Sequence, residues 1–177
     1  MKTRLFLRNA GLAIAFATLG ACAQAPSAAP SAAPPAIEAA AQRAPASVNN
    51  AMGLPLMIVH KSPSCGCCGS WVEHVRQAGF AVEVREADNL QPVKERLGVP
   101  YGKGSCHTAE IAGYMIEGHV PATDIKRLLE EKPDAIGLVL PGMPMGSPGM
   151  EMPDGRQEPY TVEIVNRDGT TEPFAQH

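Results

Sequence analysis

From Leu54 to His60 the chain reads LPLMIVH, an apolar run broken by one proline and halted by Pro63. A run of that length between turn residues predicts a buried strand. The period then changes. Trp71, Val72, Val75 and Ala78 share one helical face, while Glu73, Arg76 and Gln77 fall off it. A helix is expected over 69–78, with Gly79 as its stop. FAVEVREA (80–87) alternates as a second strand, and Asn89 is placed to cap a short helix that ends at Leu97 and Gly98. AEIAGYMIEG (109–118) reads as two short strands meeting at Gly113 in a hairpin. Pro121 opens a third helix with Ile125, Leu128 and Leu129 inward and Pro133 beyond its end. AIGLVL (135–140) and YTVEIV (160–165) each predict a further strand, on either side of a Gly/Pro/Met loop.

This order, β-α-β-α-β-β-α with a C-terminal β extension, predicts an α/β fold of thioredoxin-like layout. A small mixed sheet would carry helices on its faces. The patterned part is residues 51–177. Ahead of it the sequence differs in kind. Lys2, Arg4 and Arg8 precede an apolar run, Ala10 to Gly20, that is too short to span a bilayer. That is the pattern of an export signal, and it points to the periplasm of a bacterium. Two cleavage points compete. LGAC (19–22) has the form of a lipoprotein box, which would make residues 1–21 the signal and Cys22 a lipidated N-terminus. ACA (21–23) fits ordinary cleavage, with residues 1–23 removed. Residues 22–50 are rich in Ala, Pro and Ser and lack the apolar content to form a core, which predicts a solvated spacer.

Charge narrows the partners. The chain carries 15 Lys and Arg against 18 Asp and Glu. Removing the signal takes away three basic residues and leaves a formal charge of −6. An acidic chain without a basic run is not built for nucleic acid.

The candidate chemistry lies in KSPSCGCCGSW (61–71), where Cys65, Cys67 and Cys68 fall where the first strand turns into the first helix. Free N–H groups at a helix start favour a thiolate, the form that both exchanges disulfides and binds metal. Cys106, in SCHT (105–108), is expected beside that turn, in the loop before the hairpin. Redox thioredoxins usually place a proline there, and SCHT has none. Four sulfurs together make a soft site suited to Cu(I) or Zn(II). The paired C-x-x-C spacing usual for structural zinc is missing, so zinc is the less favoured metal. Two alternatives stay open. One is a purely structural role in disulfides, credible for an exported chain. The other is a thiol–disulfide oxidoreductase in which Cys65 attacks and Cys68 resolves.

GMPMGSPGMEM (142–152) adds Met143, Met145, Met150 and Met152. Thioether is a soft, neutral ligand that keeps its affinity for Cu(I) whatever the pH. Taken singly, each methionine reads as loop packing before it reads as a ligand, and it is the clustering of four within ten residues that points to metal. His107, next to Cys106, is a ligand or proton-relay candidate. His60 and His119 read as packing or surface residues before they read as ligands. His74 is expected on the exposed side of its helix, and neither it nor His177 is given a role.

KSPSCGCCGSWVEHV, SCHTAEIAGYMIEGHVPATDIKRLL, PDAIGLVLPGMPMGSPGMEM and PYTVEI together resemble the CopG-like copper-resistance family, also known as domain of unknown function 411. The resemblance spans nearly all of 57–165. It implies a thioredoxin-like fold, a periplasmic location and copper handling by the cysteine cluster, with periplasmic copper-handling proteins as partners. Carried over position by position, it implies Cys65, Cys67, Cys68 and Cys106 as the metal positions, with His107 and the methionine loop beside them. The expectation is a Cu(I)-binding protein of copper resistance, with copper and thiol redox chemistry as a possible activity.

Overall fold

The computed structural model describes residues 53–177. The basic start, the box containing Cys22 and the Ala/Pro/Ser stretch lie outside the described residues. No helix among the described residues is long and apolar enough to cross a membrane.

Among the described residues seven strands and three helices follow one another: β1 (Met57–Lys61), α1 (Gly66–Gln77), β2 (Val82–Glu86), α2 (Gln91–Leu97), β3 (His107–Ile111), β4 (Tyr114–Glu117), α3 (Ala122–Glu131), β5 (Ala135–Val139), β6 (Thr161–Asn166) and β7 (Thr171–Gln176). They form one mixed sheet in the order β2-β1-β3-β4-β5-β6-β7. The β1–β2 and β4–β5 pairs are parallel, each joined through a helix, and the other neighbours are antiparallel. The α/β class and the element order are those expected from the pattern. Hydrophobic burial seals the sheet: Met57 and Val59 of β1, Trp71 and Val75 of α1, and Ile125 and Leu128 of α3 are fully buried in one cluster.

Three local differences matter. Helix α1 begins at Gly66 rather than Gly69, with Cys65 as its N-cap and Cys67 and Cys68 inside the first turn. The early start brings Cys67 and Cys68 onto the helix itself, with the Cys65 sulfur capping it by accepting the Cys68 N–H at 3.4 Å. Asn89 accepts the Gln91 N–H at 3.0 Å, although Leu90 is the residue bordering α2. Strand β7 was not expected from the pattern. It pairs with β6 across a turn at Gly169, whose φ of +82° suits glycine, and its edge position tolerates Pro173.

The end of the sheet that matters most is where β1 leaves, β3 enters and β4 leaves. Gly118, just after β4, has φ +77°, and a Cβ there would lie 2.5 Å from the Leu140 carbonyl and 2.7 Å from the Ser105 side chain. Only glycine permits this crossing, which packs the loops before β3 and after β4 and β5 against one another.

Candidate metal centre

Cys65 and Cys68 are joined in a disulfide, while Cys67 and Cys106 are free thiols. The Cys67 sulfur lies 3.5 Å from that of Cys65 and 4.0 Å from that of Cys106. All four sulfurs fall within 4.8 Å of one another. Cys68 is buried and the other three are half-buried. The cluster therefore assembles as the spacing suggested. Joining the four as thiolates would first require reduction of the Cys65–Cys68 bond.

On its inner side the centre meets two buried imidazoles. His119 Nε2 is 3.0 Å from the Cys106 sulfur, and its Nδ1 is 2.8 Å from the Pro148 carbonyl. A carbonyl can only accept, so Nδ1 carries the proton and Nε2 offers a lone pair to Cys106. Holding one ring nitrogen on a carbonyl and aiming the other inward is how proteins orient a histidine for metal. Burial pulls the His119 pKa below that of a free imidazole, which keeps the ring neutral. This corrects the expectation of a packing or surface role. His119 is completely buried, and its free nitrogen faces a cysteine.

His107 lies beside it. Its Nδ1 is 3.4 Å from the Cys106 sulfur, its ring lies on Trp71 with centroids 4.4 Å apart, and it meets His119 edge-on at 4.9 Å. Burial, then the neighbouring His119 and Lys94, press its pKa down to about 3. Its Nε2 is buried without a hydrogen-bond partner. A buried polar nitrogen with nothing to satisfy it is costly in an apolar core and common at functional sites. Trp71 is itself fixed, donating from Nε1 to the Val120 carbonyl at 2.9 Å.

Burial, and next the neighbouring Cys67, push the Cys106 thiol up to about 11. The proton thus sits on sulfur, and the thiol donates to His119 Nε2. A soft cation would displace that proton.

One buried carboxylate fixes the loop that carries Cys106. Glu117, at the end of β4, accepts from the Ser105 N–H, from the Thr108 hydroxyl at 2.6 Å and from Lys94 Nζ of α2. It is fully buried, and the Lys94 ammonium compensates its charge. Ser105 and Thr108 bracket Cys106 and His107, so both are pegged from behind. Neither Glu117 nor Lys94 was singled out from the sequence, because no local pattern connects an α2 lysine to a strand-end glutamate.

The methionine loop covers the centre with its backbone. Pro148 supplies the carbonyl to His119, and Gly149, at φ +83°, lies so close to α1 that a Cβ would come 2.7 Å from the Cys67 carbonyl oxygen and the Trp71 nitrogen. Met143 is half exposed, and Met145, Met150 and Met152 are partly buried. The loop is thus brought over the cysteines, and its described contacts with them are main-chain ones.

The other histidines go elsewhere. His60 pairs with Glu110 at 2.8 Å. His74, expected to be exposed and idle, is half-buried and accepts the Ala122 N–H at 3.1 Å at the start of α3. His177 pairs with Asp124 at 2.8 Å and stacks on Tyr160.

The donors suit a soft ion. Two sulfurs bound tetrahedrally to one ion at about 2.3 Å lie about 3.8 Å apart, and the Cys67 and Cys106 sulfurs are 4.0 Å apart. Imidazole nitrogen completes a set that favours copper or zinc over hard cations. Fold and donors together define a mixed α/β protein with a cysteine–histidine centre fitted to a soft metal ion.

The comparisons agree. A family model described as a protein of unknown function, DUF411, matches residues 103–150. The solved structure of a copper resistance protein CopG, form 1, is 46% identical, with a TM-score of 0.66 over 70% of this chain and 98% of that one. Form 2 of that protein gives 46% and 0.66 over 69% and 97%. No curated protein matches the chain. The chain belongs to the CopG family of copper resistance proteins.

Proposed function

We propose that this protein binds copper as cargo in copper resistance. It takes Cu(I) through the Cys67 and Cys106 sulfurs and His119 Nε2, with Cys65 and Cys68 joining as thiolates once their disulfide is reduced. His107 is a reserve nitrogen, and a thioether of the methionine loop is a further soft donor from above. The site acts in the periplasm, where the export pattern would send the chain. The observation that carries this reading is the thiol–imidazole pair of Cys106 and His119. Its imidazole is fully buried and oriented by the Pro148 carbonyl, and its sulfur is within ligand spacing of Cys67. The two CopG structures, which bear the name of a copper resistance protein, support the choice of copper.

An anaerobic competition titration against a Cu(I) chelator tests it. Cys106→Ser and His119→Ala should each lower Cu(I) affinity by about tenfold or more, the cost of roughly 1.4 kcal/mol for one lost ligand. Unchanged affinity in both, in variants that fold, would remove the site from the reading. Replacing Met143, Met145, Met150 and Met152 by Leu separates the loop's roles. A thioether ligand predicts weaker Cu(I) and unchanged Zn(II) binding, whereas packing predicts no change in either.

The Cys65–Cys68 disulfide favours a second reading, thiol redox chemistry, either with copper or with protein partners. The outer Cys65 and buried Cys68 suit attack and resolution. An insulin-reduction assay distinguishes it, since protein reductase activity that survives in a Cys67→Ser/Cys106→Ser double variant would belong to the C-x-x-C pair alone.

A further inference from the structure

With Cys65 and Cys68 already bonded, each of the two remaining thiols among the described residues has the other as its neighbouring free sulfur, 4.0 Å away. A disulfide needs the two sulfurs at about 2.0 Å. Closing that gap falls to Cys67, in the half-buried first turn of α1, because the loop that holds Cys106 is pegged from behind by Glu117. Both thiols are partly open to solvent, so a small oxidant reaches them. Resting on the copper-binding reading above, we infer that Cys67 and Cys106 form a second redox couple. Its disulfide, closed by exchange with a low-molecular-weight disulfide, puts the centre in a state that refuses metal.

The exchange balances in two steps. The Cys106 sulfur attacks one sulfur of the small disulfide and forms a mixed disulfide. One small thiolate leaves and takes up the Cys106 proton, for which His119 Nε2 at 3.0 Å is the nearest relay. The Cys67 sulfur then attacks the Cys106 sulfur, closing the Cys67–Cys106 bond and expelling the second small thiol with the Cys67 proton. Two protein thiols are oxidised and one external disulfide is reduced to two thiols. Cys67 and Cys106 then have no thiolate to offer, Cys65 and Cys68 are already bonded, and a lone imidazole pair remains. A dithiol reductant reverses both bonds and reopens the centre.

The test uses copper-free full-chain protein incubated anaerobically with glutathione disulfide and digested with trypsin without reduction. Cleavage after Lys61, Arg76, Lys103 and Lys126 puts Cys67 and Cys106 on separate peptides. The expected product is peptide 62–76 joined to peptide 104–126, with no free thiol left on either peptide. Cys67→Ser should instead trap Cys106 as a glutathione adduct. The doubly bonded protein should bind Cu(I) at least about tenfold more weakly than reduced protein, and dithiothreitol should restore binding. Free thiols that persist at Cys67 and Cys106, or glutathione adducts on both of these cysteines with no joined peptide, would overturn the couple. A joined protein that binds Cu(I) as tightly as the reduced form would overturn the closed state. If the joined peptide forms but the reduced protein also ignores Cu(I), the couple stands and the copper reading falls.

Discussion

Replacing Glu117 by Gln keeps its volume and removes its charge. In the native protein three donors converge on this carboxylate: Lys94 Nζ, the Ser105 N–H and the Thr108 hydroxyl. An amide sets its own N–H group against at least one of them and leaves the Lys94 ammonium unpaired. Breaking one half of a buried ion pair costs about 3–5 kcal/mol. The Lys94 side chain is 15% exposed, so water partly rehydrates it, which favours the lower end, about 3 kcal/mol. With an unfolding entropy of about 2.1 cal/mol/K per residue over about 125 residues, that loss lowers Tm by roughly 11 °C. Urea and thermal unfolding of copper-free protein would measure it. The paired variant Lys94→Met/Glu117→Gln removes both charges and leaves an amide oxygen for Ser105, so it should recover most of the loss. Because Glu117 pegs the chain on both sides of Cys106, the single variant should also let iodoacetamide label Cys106 faster. A single variant within 1 kcal/mol of wild type would refute the argument, as would a double variant no more stable than the single.

Two further outcomes are expected. Gly149→Ala forces an unfavourable φ and sets a methyl against the α1 backbone; it should cost about 1–3 kcal/mol and free the His119 Nδ1 proton from Pro148, visible as a shifted imidazole resonance, whereas a wild-type spectrum and stability would refute the lid's position. Because the Cys106 thiol is held up near 11, its thiolate, the reactive form, grows with every step in pH below that value; in copper-free protein its alkylation rate, read by peptide mass, should rise about tenfold per pH unit from 7 to 10, and a plateau at or below pH 9 would contradict the burial argument.

Much of this protein is legible in its sequence because the signals are local. Apolar runs, helical spacing and Gly/Pro stops give the order of elements, since each reflects the period of one segment. Adjacent Cys65, Cys67 and Cys68 need only a strand-to-helix turn to become a cluster, and the short hairpin at Gly113 returns the chain at once. That hairpin even carried an unused signal. Thr108 pairs with Glu117 and Ile111 with Tyr114, each equidistant from the turn, and the same register continued outward sets Cys106 opposite His119.

What the tertiary structure alone decided is everything that depends on a particular partner far along the chain. It turned His119 from a packing residue into the imidazole that faces Cys106. It put the Pro148 carbonyl on the other nitrogen of that ring, and it joined Lys94 of α2 to Glu117 of β4 behind the cysteine loop. It added β7 at the sheet edge, where pairing with β6 overrides a weak local pattern. It also chose which cysteines bond and which stay free. Hydrophobic period is a property of one segment and survives in the linear text. Directed contacts such as hydrogen bonds, ion pairs and sulfur pairs depend on the separation of side chains in space, and only packing of the whole domain sets that separation.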